Sequence, residues 1–258
     1  TSGVYLMKNR DGEIIYVGKA GNLKKRVSSY FLRAKDLKTE KLVQEIAKID
    51  YKKTDTVIEA LILEAELIKK YAPQYNIKDK DNKSFLYVEI TKEEFPRVIL
   101  VRARDLKKDS GTYFGPYTFA SSIREALKII RKIFPYNLHK FVFFRYVTSG
   151  LEKEQKFSFV SNEVAPRGRQ QQQKESKESH SYKRPCFDYE IGLCPGTCAG
   201  LISRKEYLKN IKNIKLFFMG QKGRILKNLE KEMKELSKQQ EFEKAGKLRG
   251  QIFALKHI

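Results

Sequence analysis

The stretch that decides the fold begins with Gly3-Val4-Tyr5-Leu6-Met7 and continues, after a polar turn at 9–12, with Ile14-Ile15-Tyr16-Val17-Gly18. Two apolar runs joined by a short turn that contains Asp-Gly predict an antiparallel β-hairpin. Because successive side chains of a strand point to opposite faces, one face should carry four aliphatic side chains: Val4, Leu6, Ile15 and Val17. The opposite face then carries Tyr5, Tyr16 and Gly18. We expect the aliphatic face to pack on the core and the two phenols to lie together on the other side.

Helical patterns follow this hairpin. We predict helices over residues 22–31, 38–50 and 56–71, the third with an apolar stripe at helical spacing and Pro73 after its end. A hairpin followed by helices predicts a small α+β domain over residues 1–80, with a short antiparallel or mixed sheet and flanking helices.

The rest of the chain divides by composition into four segments. Residues 81–139 predict a linking α/β region, with strands at 85–90 and 97–101, a loop at 113–117 and a helix at 121–134. Residues 140–184 are interpreted as an insertion, in which a hairpin precedes a Gln-rich tract too polar to build a core. A Cys-rich module at 185–202 comes next. Residues 203–258 then predict a capped helix and, from residue 222, a helical hairpin with one exposed apolar seam.

Charge limits the function classes. Lys and Arg number 53 against 31 acidic residues, a formal net charge of +22. Such an excess is self-repulsive unless a polyanion neutralises it, which favours nucleic acid first and an anionic membrane second. No apolar run reaches the roughly 20 residues that span a membrane, and no secretory signal begins the chain. Three cysteines without such a signal favour a reduced, cytoplasmic location, and the missing initiator Met suggests a fragment.

Motifs in the order of a known family then narrow the function. Gly3-Val4-Tyr5 and Tyr16-Val17-Gly18 resemble the signature of the GIY-YIG nucleases, and residues 69–76, 113–117 and 184–198 resemble the UvrC branch of that family. Residues 241–245 resemble the UVR motif by which UvrB and UvrC pair, which extends the expected UVR hairpin over about 222–258. The resemblance implies a metal-dependent endonuclease of bacterial nucleotide excision repair, which cuts damaged double-stranded DNA on the 3′ side of a lesion in complex with UvrB. A second nuclease half would lie beyond Ile258, so this chain should make only the 3′ cut.

The same resemblance assigns the nuclease residues. Glu64 would hold one Mg²⁺ or Mn²⁺, and it borders an apolar stripe where a carboxylate is awkward. Tyr16 resembles the residue proposed to take the proton of the attacking water, and Tyr5 its partner. The other expected catalytic residues neutralise phosphate, orient the attack or close the site: Lys19, Arg26, Tyr30 and Asn76. Residues expected to lie against DNA are Gly18, Lys24 and Lys25.

Two further sites lie toward the C-terminus. Cys186, Cys194 and Cys198 would form a structural metal site with His139, which stands where the family has a fourth Cys; His180 is a rival ligand. Thiolates with imidazole suit Zn²⁺ or a 4Fe–4S cluster, and three thiols without a metal are the alternative. The seam expected to contact UvrB consists of Phe242, Ala245, Leu248 and Ile252.

Two other functions compete with the repair nuclease. One is a catalytically weak adaptor that binds DNA and UvrB; retention of the expected catalytic residues argues against it. The other is a stand-alone GIY-YIG endonuclease of the homing type, which the UVR-like hairpin and the Cys module disfavour.

Overall fold

The computed structural model describes residues 1–32, 37–77, 85–139, 141–144, 156–159 and 185–258, and its α+β architecture confirms the predicted fold class. The strands are β1 Gly3–Lys8, β2 Ile14–Ala20, β3 Lys48–Lys53, β4 Leu86–Thr91, β5 Val98–Arg102, β6 Gly111–Tyr117, β7 Phe141–Phe144 and β8 Lys156–Phe159. The helices are α1 Leu23–Leu32, α2 Leu37–Glu45, α3 Val57–Tyr71, α4 Gln74–Ile77, α5 Ala120–Ile133, α6 Phe187–Glu190, α7 Arg204–Phe218, α8 Lys222–Lys238 and α9 Phe242–Lys256.

The predicted hairpin forms the centre and one edge of a three-stranded antiparallel sheet in the order β2-β1-β3. Tyr5 lies opposite Gly18, and Leu6 lies opposite Val17. The prediction for Ile15 is wrong: the register shifts after Met7, so that β2 has one extra residue and Ile15 turns to the face that carries Tyr5. That face is buried beneath α1 and α2 rather than left open, with Leu23 and Leu42 packed against it.

The prediction of one helix over residues 38–50 is wrong in its second part. The helix ends at Glu45, and residues 48–53 form strand β3, which pairs with β1. The strand has few apolar residues and is mostly exposed, so its alternation carries no hydrophobic signal. An ion pair of 2.7 Å joins Lys8 of β1 to Asp50 of β3 and supports their pairing.

Helix α3 lies between two cores. Ala60, Leu67 and Ile68 pack against the aliphatic face of the first sheet. Leu61, Ile62 and Ala65 belong instead to a larger core built on a second antiparallel sheet, ordered β5-β4-β6. Thr56 caps the start of the helix by accepting a hydrogen bond from the Glu59 amide. The helix is therefore fixed from both sides.

The second sheet is more than a linker. The segment predicted as a loop at 113–117 lies in strand β6, so that prediction is wrong. Helices α5, α7, α8 and α9 all contribute buried residues to the core on this sheet. The buried Tyr207 hydroxyl of α7 donates to the Pro96 carbonyl at 2.5 Å. Residues 85–139 and 203–258 thus share one core.

The C-terminal helices form the predicted hairpin, and the capping box of Ser203 and Glu206 is present. Its apolar seam is not simply exposed, because several of its residues are buried in the chain's own core: Leu229, Ala245, Ile252 and Leu255. The hairpin predicted after residue 140 is confirmed as β7 paired antiparallel with β8. The Gln-rich tract and His180 lie outside the described residues. Of the helices that the structure describes, none is both long and apolar enough to cross a membrane.

Candidate active site

Three tyrosines form the centre of the site. Tyr5 of β1, Tyr16 of β2 and Tyr30 of α1 have ring centroids 6.0 to 6.2 Å apart in every pair. The hydroxyls of Tyr5 and Tyr30 share a hydrogen bond of 2.9 Å. The Arg26 guanidinium lies 5.2 Å from the Tyr30 ring centroid and donates a hydrogen bond to Tyr5. Four of the residues predicted from the sequence therefore meet, although they come from three elements.

The surroundings raise the pKa of two of these phenols and so keep them protonated. Burial, and then the neighbouring Tyr30, raise the pKa of Tyr5 above its usual value of 10. Burial raises the pKa of Tyr16 as well, with further contributions from Tyr5, Tyr30 and the negative charge of Glu64. Tyr16 is accordingly a hydrogen-bond donor at neutral pH in this arrangement, and the base role predicted for it requires a positive charge that opposes these effects.

Glu64 is a buried carboxylate on α3, with only 3 % of its surface exposed. Its Oε1 accepts a hydrogen bond of 2.9 Å from the backbone amide of Lys19 on β2. Its Oε2 is 3.5 Å from the Thr118 hydroxyl, which donates to it. A buried carboxylate costs free energy unless hydrogen bonds or a cation compensate it, and a carboxylate oxygen has lone pairs for both. This donor fits a hard divalent cation that keeps most of its water ligands.

Gly18 makes room for neighbouring side chains, and its predicted contact with DNA stays a prediction. A Cβ atom at this position would overlap the hydroxyl oxygen and Cζ of Tyr5 and would lie 3.1 Å from Cε1 of Tyr16. The missing side chain therefore makes room for the two phenol rings over β2. Lys24 and Lys25, the other residues expected to touch DNA, are exposed on the first turn of α1.

Asn76 holds the edge of the first sheet. Its Oδ1 accepts from the Val17 amide at 2.8 Å, and its Nδ2 donates to the Val17 carbonyl at 2.9 Å. The buried amide replaces the missing strand neighbour of β2. It fixes the backbone between Tyr16 and Gly18, and so acts on the site through β2.

Two residues of the site were missed by sequence reasoning. Thr118 and Phe119 lie between β6 and α5, outside the segment that carries the nuclease motif, yet Thr118 contacts Glu64. The Lys19 ammonium lies 5.0 Å from the Phe119 ring centroid. Their residue types carry no signal; only the neighbouring motif at 113–117 marked this region.

The predicted C-terminal metal site is only partly assembled. The Cys186 amide donates to the Cys198 sulfur at 3.4 Å, and a hydrogen bond from Cys198 lowers the pKa of Cys194 to about 5. His139 Nε2 lies 3.9 Å from Asp188. Within the described ranges, no group of three or more His, Cys, Asp or Glu side chains is arranged to hold a metal ion. The iron–sulfur or zinc site stays a prediction.

The predicted UvrB-contact residues have unequal access. Phe242 is 67 % exposed, whereas Ala245 and Ile252 are buried and Leu248 is half-buried. Phe242 lines a groove between α8 and α9 with Met233, Ser237 and Arg249. In this conformation, Phe242 is the seam residue most available to a partner.

We expect Gly18→Ala to destabilise the chain by about 1–3 kcal/mol, the usual cost of forcing extra atoms into a packed site. The added methyl group must displace Tyr5, whereas Gly21→Ala is a matched control, because its Cβ would meet only Val57 at an ordinary 3.7 Å. Urea unfolding of both variants measures the difference. Equal stability of the two variants would contradict the packing role of Gly18.

Comparison with known proteins follows the same order along the chain. The family model for the UvrC-like GIY-YIG domain matches residues 1–77, that for the middle domain of the UvrC/Cho excinuclease matches 170–217, and that for the UvrB/uvrC motif matches 223–258. The UvrABC system protein C of Clostridium kluyveri is 40 % identical over 259 residues, which cover 99 % of this chain and 36 % of that protein. The protein of the same name from Carboxydothermus hydrogenoformans is 41 % identical, with the same coverage.

These alignments run through residues 140–184, the segment interpreted from the sequence as an insertion. The chain spans about a third of the length of these curated relatives. A crystal structure of the GIY-YIG N-terminal endonuclease domain of UvrC from Thermotoga maritima, bound to its catalytic divalent cation magnesium, is 42 % identical. It covers 30 % of this chain and 83 % of that one, with a TM-score of 0.28. The three family models in chain order, with relatives aligned over almost every residue, show that this chain belongs to the UvrC family.

Proposed function

We propose that this chain is the 3′-cutting, metal-dependent endonuclease part of a bacterial nucleotide excision nuclease, which acts on damaged double-stranded DNA together with UvrB. The observation that carries the proposal is the buried Glu64 carboxylate beside the cluster of Tyr5, Tyr16, Tyr30 and Arg26. A carboxylate, phenols and cations in one place suit phosphodiester hydrolysis, in which a water oxygen bonds to phosphorus while an ester oxygen leaves.

In this proposal, Glu64 would hold one Mg²⁺ or Mn²⁺, which supplies Lewis acidity to a phosphate oxygen and lowers the pKa of water. Arg26 is exposed and can grip two phosphate oxygens at once, while its contacts with Tyr5 and Tyr30 fix its direction. Tyr16 donates a hydrogen bond while its proton is retained, and accepts a proton only when positive charge offsets its burial. The Lys19 ammonium adds a second positive charge at the phosphate.

The cation site is tested by Glu64→Gln, which keeps the shape of the side chain and removes its charge. A lost metal ligand costs several kcal/mol of transition-state stabilisation, so nicking should fall more than about a hundredfold at roughly 1.4 kcal/mol per tenfold. The assay measures nicks in UvrB-loaded, lesion-bearing duplex with Mg²⁺ or Mn²⁺. Glu66→Gln, two residues along α3 and exposed, is the matched control and should nick as the unmodified chain does. Nicking that survives Glu64→Gln would rule out Glu64 as the catalytic cation ligand, whereas an unmodified chain that binds DNA and UvrB but does not nick would favour the adaptor.

Contact with DNA should be mostly electrostatic. The chain carries a net charge of +22, and the exposed Lys24 and Lys25 lie on the same helix as Arg26. Each phosphate neutralised by a cation releases counterions, so binding weakens as salt rises. Lesion specificity would come from UvrB, because nothing in the predicted site reads base edges.

We expect the double change Lys24→Gln with Lys25→Gln to reduce the slope of log affinity against log salt by about 1.8 if each lysine contacts one phosphate. A double change of two exposed lysines on α8, Lys227→Gln with Lys238→Gln, removes the same charge far from the site in sequence. Fluorescence anisotropy with a duplex at several salt concentrations gives both slopes. Identical slopes for the two double variants would contradict phosphate contact by α1.

Pairing with UvrB is proposed for the groove beside Phe242, on the strength of the UvrB/uvrC motif match and the exposure of this ring. A large apolar side chain seated in a partner's pocket is the usual centre of an interface. The buried Ala245 and Ile252 would support the helix rather than touch the partner.

Phe242→Ser should weaken UvrB binding by about 30-fold, corresponding to the roughly 2 kcal/mol of an interface hot spot. Phe253→Ser is the matched control, because Phe253 lies on the same helix, is 66 % exposed and does not line the groove. Calorimetric titration with purified UvrB gives both dissociation constants. If the two variants bind equally well, the groove is not the UvrB site.

A further inference from the structure

The connection between β6 and α5 reaches the active site from outside the matched nuclease segment. The family model for the nuclease domain ends at residue 77, whereas this connection consists of Thr118 and Phe119. It arrives there because β6 packs on α3, the helix that carries Glu64. Two separate contacts join this connection to the site.

The first contact is with the acidic side of the site. The backbone amide of Lys19 holds Oε1 of Glu64 at 2.9 Å, and the Thr118 hydroxyl approaches Oε2 at 3.5 Å. The carboxylate is thus contacted from β2 on one oxygen and from the β6–α5 connection on the other. Groups that hydrogen-bond a metal ligand fix its orientation and tune its affinity for the cation.

The second contact is with the basic side. The Lys19 ammonium lies over the face of Phe119, 5.0 Å from the ring centroid, at a distance where cation and ring attract. The ring is 47 % exposed, so its other surface stays open to solvent. An ammonium held against a ring loses less side-chain freedom when it binds phosphate than one that moves freely in solvent.

We propose that Thr118 and Phe119 are positioning residues of the nuclease site: Thr118 orients Glu64 toward the catalytic cation, and Phe119 directs Lys19 toward the scissile phosphate. The inference rests on the proposed function, since it assigns residues to that same site. It makes the second sheet part of the active site rather than a spacer between the nuclease domain and the C-terminal helices.

The role of Thr118 is tested on cation binding, without DNA or UvrB. Mn²⁺ is titrated into the full chain and free Mn²⁺ is followed by electron paramagnetic resonance; the site is defined as the binding that Glu64→Gln removes. Thr118→Val should weaken this binding about tenfold, the lower end for residues that hold a metal ligand, because the contact is long. Thr118→Ser keeps the hydroxyl and should bind within about twofold of the unmodified chain.

Thr112→Val is the control for replacing the hydroxyl of a half-buried threonine by a methyl group, since Thr112 lies in the adjoining strand β6 opposite Ile90. It should leave Mn²⁺ affinity unchanged. Normal affinity in Thr118→Val, equal weakening in Thr118→Ser, or Mn²⁺ binding that Glu64→Gln does not alter would each overturn the assignment of Thr118.

The role of Phe119 is read from nicking kinetics at saturating Mn²⁺. Phe119→Leu removes the aromatic face and should raise KM for DNA about threefold with kcat little changed, whereas Phe119→Tyr should restore KM. The assignment of Phe119 would be overturned if Phe119→Leu lowered kcat at unchanged KM, or if Phe119→Tyr raised KM as much as Phe119→Leu does. These outcomes are separate from failure of the proposed function, which would appear as no nicking by the unmodified chain while Thr118→Val still weakens Mn²⁺ binding.

Discussion

The arrangement depends on one constraint: the carboxylate of Glu64 must be held in a buried position. Removing a carboxylate from water is costly, and the cost falls only when donors or a cation face both oxygens. The chain meets this requirement by placing the amide of Lys19 and the hydroxyl of Thr118 on the two oxygens. The amide belongs to β2 and Thr118 directly follows β6, so each of the two sheets packed on α3 brings one donor to Glu64.

The phenols of Tyr5, Tyr16 and Tyr30 also depend on close packing, here between the first sheet and α1. Tyr5 is fully buried because Gly18, which has no side chain, leaves space for its ring on one side, and Tyr30 of α1 covers the ring on the other. Burial, the adjacent phenols and the charge of Glu64 all raise the pKa of Tyr16. Tyr16 would therefore lose its proton only if positive charge near it opposed these effects, and a divalent cation held by Glu64 would supply such a charge.

What the sequence could predict follows the strength of local patterns. The hairpin, α3 and the grouping of Tyr5, Tyr16, Arg26 and Tyr30 follow from alternation, helical spacing and the family motif. Strand β3 was missed because Lys, Asp and Tyr on an exposed edge give no apolar period. The sequence predicts the wrong face for Ile15 because one extra residue in β2 breaks the alternation there and puts Ile15 on the same face as Tyr16; a register shift leaves no trace in composition.

Thr118 and Phe119 could not be predicted as site residues for a different reason, which is their distance along the chain from the residues they contact. They are 54 and 100 positions from Glu64 and Lys19 in the chain, respectively, and they reach the site only through the packing of β6 on α3. The same helix is joined to the C-terminal hairpin by the ion pair of Lys222 and Glu59, at 2.9 Å with both side chains largely buried. Helix α3 thus connects the Glu64 carboxylate, the second sheet and the base of the hairpin. A chain cut after the nuclease motif would keep the Lys19 amide on Oε1 of Glu64, but would lose the contact of Thr118 with Oε2 and that of Phe119 with the Lys19 ammonium.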